Sequence, residues 1–127
     1  MAIAGAILFS VASLAVMALH VALVAGAPIG DMTMGGGNPG VLPLAARMAS
    51  AAQAILVGCL AIVVLNAAGL VDAPLISGTR RGIWMAVAVS AISSVLNTIT
   101  PSRRERLFGM PATFALLAGS LAVALGD

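Results

Sequence analysis

Four long apolar runs, at positions 2–26, 44–66, 83–100 and 107–126, are separated by three short stretches where the polar and chain-breaking residues collect. Each run is close to or above the ~20 residues that carry an α-helix across ~30 Å of hydrocarbon. The pattern predicts an all-α fold, a transmembrane four-helix bundle forming one integral membrane domain over 1–127. The first run has no charge and one histidine, His20, whereas the last two runs are short and should stand with little tilt. Ala25-Gly26-Ala27 has the form of a signal-peptidase site. No basic segment precedes that run, and it is too long for a signal core, so it reads as a retained span.

The connections add detail. The first, 26–43, holds Pro28, Gly30, Gly35, Gly36, Gly37, Pro39, Gly40 and Pro43, and predicts a flexible turn. Its glycine run lacks the Lys-Ser/Thr pair that a phosphate cradle needs. The second connection, 66–82, contains Asp72-Ala73-Pro74 and Ser77-Gly78-Thr79-Arg80-Arg81. The third is a charged knot, Asn97-Thr98-Ile99-Thr100-Pro101-Ser102-Arg103-Arg104-Glu105-Arg106. There Pro101 disfavours helix at Thr100, and Ser102 with Glu105 has the spacing of a capping box that opens a new helix. Pro111 cannot donate to the carbonyl of Leu107, so the charged piece should bend into the last span.

Composition narrows the function classes. The chain is 61% hydrophobic and only 8% charged, which leaves nothing to cover the surface of a soluble protein. Six arginines and a net charge of +2 form no basic patch interleaved with aromatics, so nucleic acid is not an expected partner. The arginines sit at helix ends instead. Arg47, Arg103, Arg104 and Arg106 fall on the side of the first and third connections, against Arg80 and Arg81 on the other. This bias predicts that odd connections lie in the cytoplasm of a bacterial inner membrane and both termini outside. Arg103, Arg104 and Arg106 then fix topology or meet lipid headgroups. Trp84, the one tryptophan, stands where an interfacial anchor belongs, and Cys59 reads as a small packing residue.

In lipid, helices associate through close approach of small residues. Ridges at i+4 spacing run through Ala2, Ala6, Ser10, Ala18, Ala22 and Gly26, through Ala46, Ser50, Ala54 and Gly58, through Ala86, Ser90, Ser94 and Thr98, and through Ala115 and Gly119. A homo-oligomer or a larger membrane complex is expected as partner, together with membrane lipids. Polar residues inside the spans are the candidates for function. Gln53, Ser90, Ser94 and Asn97 are expected to line a pathway or polar cavity; with Ser93, the Ser/Asn stripe can equally serve hydrogen bonds between helices or to its own backbone. His20 is a possible ligand or titrating group, or a hydrogen-bonding residue near the interface. No catalytic residue, metal site or cofactor is expected, because no carboxylate pair, H-E-x-x-H, G-x-S-x-G or P-loop occurs.

The sequence His20…Gly26-Ala27-Pro28…Gly35-Gly36…Leu42-Pro43…Arg47…Gln53, with Asn97 and Ser102-Arg103-Arg104-Glu105-Arg106, resembles an uncharacterised bacterial family of small four-helix integral membrane proteins. The resemblance implies that fold and no activity. Ile29 and Met34 stand where that family is richer in aromatic residues. Three functions stay open: an oligomeric transporter or channel-like protein, a non-catalytic accessory or scaffold subunit, and a membrane enzyme or binder of a lipid-soluble ligand. On topology the expected outcome is definite. A reporter fused after Asp127 should be active only outside the cytoplasm; activity only inside overturns the orientation.

Overall fold

The computed structural model describes residues 1–72 and 80–126. The chain forms α1 (Ala2–Val24), α2 (Leu44–Ala67), α3 (Arg80–Ile99) and α4 (Arg103–Leu125), with no strand among the described residues. All four are long and apolar enough to cross a membrane, and even the 20 residues of α3 cover about 30 Å at ~1.5 Å per residue. The protein is an all-helical, multi-pass membrane protein by length and composition. Most of the second connection, residues 73–79, lies outside the described residues.

The last helix opens inside the charged knot, capped by Ser102 as the S-x-x-E spacing predicts, and runs unbroken from Arg103 through Pro111. The Ser102 cap starts the helix, and proline removes only one backbone donor, which a long packed helix tolerates. At 23 residues α4 is therefore as long as α1, not a short span.

Packing is uneven around the bundle. Helix α1 packs extensively on α4 and α2, and α3 on α4, while α2 and α3 touch far less. The α1–α4 seam brings backbone against backbone. A Cβ at Gly119 would fall 2.6 Å from the Gly5 carbonyl oxygen and 2.9 Å from the Phe9 nitrogen. In the absence of a hydrophobic force between helices in lipid, this intimacy supplies the van der Waals contact that joins them. Phe9, Ala6, Ala12, Leu60, Val64, Ala86, Leu116 and Val123 fill the half of the bundle away from the first loop.

The small-residue ridges divide. Ala86, Ser90 and Ser94 are all buried on the packed face of α3, and Ala46 and Ser50 are buried on α2. On α1, by contrast, the tightest contact is made by Gly5, which lies off the expected ridge, and Ala18 is exposed. Cys59 is not a packing residue: it is exposed, on an outward groove between α1 and α2. Because no side-chain rotation relieves a clash with backbone, Gly119→Ala should destabilise the bundle by ~1–3 kcal/mol. Ala118→Leu, on the exposed side of α4, should stay within ~0.5 kcal/mol. Reversible unfolding in detergent distinguishes the two; equal stabilities would mean the seam is looser than described.

Candidate functional site

The first loop is ordered and docked, not a flexible turn. Two single 3₁₀ turns, Gly30–Met32 and Met34–Gly36, give it shape. The Gly30 N–H donates to the Gly40 carbonyl at 2.7 Å, closing the loop on itself. Ile29 and Met34 pack on the buried trio Leu23, Leu42 and Ala46, so apolar burial holds the loop against α1 and α2. Met34, Gly35 and Gly36 take successive left-handed backbone conformations, with φ of 52°, 70° and 75°. A Cβ at Gly36 would lie 2.9 Å from Cβ of Ser102, so only glycine lets the loop reach the start of α4.

At that meeting point Ser102 serves two chains of contact. Its hydroxyl accepts from the Glu105 N–H at 3.2 Å, capping α4, and donates to the Asp31 carbonyl of the loop. The expected capping box is only half made. The Glu105 side chain does not return to Ser102; its Oε1 accepts the Gly35 N–H at 3.2 Å, from 70 residues away. Ser102 N–H turns to Thr100 Oγ1 instead, at 3.3 Å.

The arginines are largely engaged here. Arg104 bridges both oxygens of Asp31, at 3.0 and 3.2 Å. Arg106 donates to the Thr100 carbonyl, and Arg47 to the Leu42 carbonyl. Of the three arginines expected to meet headgroups or set topology, Arg103 alone has no intramolecular hydrogen bond among the described residues.

Beneath the loop lies a cavity of about 450 Å³, bordered by Thr33, Gly35, Gln53, Ser93, Leu96, Asn97, Ile99 and Glu105. A smaller chamber of about 110 Å³ continues inward, sharing Thr33, Gln53, Ser93, Asn97 and Glu105 and adding His20 and Phe108. Gln53, Leu96 and Ile99 are exposed, so the mouth faces outward between α2 and α3, which touch far less than α1 and α4, α3 and α4, or α1 and α2. Its size falls in the roughly 300–1,000 Å³ range of small-molecule sites.

The polar lining has free capacity. His20 is 4% exposed and its Nδ1 has no hydrogen-bond partner, in place of the expected hydrogen-bonding role near the interface. Gln53 and Thr33 make no side-chain hydrogen bond among the described residues. Asn97 donates from Nδ2 to the Ser93 carbonyl at 2.8 Å, leaving its Oδ1 beside Gly109. Such groups are costly to hold without partners in an apolar surrounding. Among the described residues, no group of three or more His, Cys, Asp and Glu could hold a metal ion.

Of the four residues expected on one pathway, Gln53 and Asn97 meet at this cavity, joined by Ser93. Ser90 and Ser94 do not line it. Both are buried on the packed face of α3, and the Ser94 hydroxyl donates back to the Ser90 carbonyl at 2.8 Å. Sequence reasoning missed Glu105 and Thr33 as lining residues. Glu105 carried a capping signal that explained it locally, and Thr33 enters only because the loop folds inward.

No family model, curated protein or solved structure matches the chain. The site therefore rests on its own geometry. Gly109 is what admits the Asn97 amide, because a Cβ there would fall 1.7 Å from Oδ1. Gly109→Ala should cost ~1–3 kcal/mol, and adding Asn97→Ala should restore most of the loss. A double variant no more stable than Gly109→Ala alone would place the strain elsewhere.

Proposed function

We propose that this protein binds a small amphiphilic molecule dissolved in a bacterial inner membrane, at the cavity between α2 and α3. The observation that carries the reading is the convergence of unpartnered His20 and Gln53 with Asn97 and Glu105 in a chamber whose mouth is flanked by the apolar side chains of Leu96 and Ile99. A polar head entering between α2 and α3 meets the unpartnered His20 and Gln53 side chains and the remaining acceptor capacity of Asn97 and Glu105, while its apolar part stays along Leu96 and Ile99. A transport pathway through Gln53, Ser90, Ser94 and Asn97 is less supported. Two of its four residues turn to helix packing, and the far half of the bundle is packed mainly by apolar side chains. The arginine bias puts the loop and its cavity on the cytoplasmic side.

Gln53 is the residue to change, because it is exposed and holds up nothing in the bundle. Solvent extraction of purified wild type, followed by mass spectrometry, should release one amphiphile enriched over bulk lipid. From Gln53→Leu the recovery should fall roughly tenfold, the loss of about one hydrogen bond to the bound head, with elution and melting unchanged. Bulk lipid alone from both proteins would overturn the reading.

A further inference from the structure

We infer that the headgroup received by this cavity is uncharged and hydroxyl-bearing, of the mono- or diacylglycerol kind, and that anionic headgroups are excluded. The inference rests on the binding function proposed above and concerns the chemistry of its ligand. Among the described residues the ionisable side chains lining either chamber are His20 and Glu105. No arginine lines them, although the cavity lies beside the most basic part of the chain. Arg104 is turned to Asp31, Arg106 to the Thr100 carbonyl and Arg47 to the Leu42 carbonyl.

A phosphate or carboxylate head is ordinarily met by guanidinium forks. Here it would be brought instead against the Glu105 carboxylate, in an apolar surrounding where like charges repel strongly. An ammonium head has donors and no acceptor, so it would leave the Gln53 amide donor without a partner.

Hydroxyl groups fit what remains. Each is one donor and an acceptor. The cavity offers acceptors at Glu105 and at Asn97 Oδ1, and a donor at the Gln53 amide. His20, more than nine-tenths buried with Nδ1 unpartnered, supplies one more partner at the inner end. A vicinal pair of hydroxyls, or a hydroxyl beside an ester carbonyl, can engage both kinds at once, with its acyl chain leaving past Leu96 and Ile99.

The test compares dioctanoylglycerol with dioctanoyl phosphatidate as probes, added to the purified full chain in neutral detergent and followed by native mass spectrometry. Wild type should retain dioctanoylglycerol at least roughly tenfold better than phosphatidate, as one strong polar interaction would dictate. Glu105→Gln keeps the acceptor for Gly35 and removes the charge, so it should narrow that gap mainly by raising phosphatidate retention. Gln53→Leu should lower retention of dioctanoylglycerol. Equal or stronger retention of phosphatidate by wild type, lost in Gln53→Leu, would overturn the uncharged headgroup while leaving the binding site in place. A gap unchanged in Glu105→Gln would also overturn the inference. Retention of both probes that Gln53→Leu leaves unaltered, or of neither, would overturn it too; with bulk lipid alone extracted from wild type, the binding function would fall as well.

Discussion

A bilayer interior has no water to take up unpaired backbone groups, so a loop that folds in over a bundle and the helix start beneath it gain by satisfying one another. In this protein they do so at Ser102. One hydroxyl closes the start of α4 and holds the loop by the Asp31 carbonyl, which leaves the Glu105 carboxylate to reach the Gly35 N–H instead of its own helix. The loop, the turn after α3 and the first turn of α4 thus become one unit. The roof and one wall of the cavity are parts of it. The exposed Arg104–Asp31 pair adds little energy by itself, since such pairs contribute ~0–1 kcal/mol, but it fixes the loop's register over the helix.

The bundle below obeys a different rule. Where α1 meets α4, small residues let backbones touch, and the pair forms a rigid half. Where α2 faces α3 no such seam exists, and there the cavity opens. The cavity and the loose packing coincide because they have the same cause. The side chains at the α2–α3 gap, Gln53 and Asn97 among them, are turned to the cavity rather than to each other.

Much of this was legible beforehand, and the limits are physical. Apolar runs long enough to span a bilayer announce four helices without any knowledge of contacts. Gln53, Asn97 and His20 stood out because a polar group inside such a run is expensive, and all three line the cavity. Ser90 and Ser94 share a helical period with Asn97 but not its face. Position 93, one residue away, turns to the cavity, and spacing alone does not say which face meets a neighbour. The docking of the loop was illegible for another reason. It depends on hydrogen bonds between residues some 70 positions apart, and glycines that permit a sharp approach look identical to glycines that permit disorder.

The placement of the cavity has a consequence for how the protein meets its surroundings. Its polar lining belongs to the loop half, and the opposite half is closed by Phe9, Val64, Ala86 and their neighbours. A molecule arriving sideways between α2 and α3 therefore has access only from the leaflet that borders the loop. The protein is two-faced with respect to the bilayer even though its four helices are long enough to cross all of it. If the cavity binds an amphiphile as proposed, that amphiphile is drawn from one monolayer and not from the other.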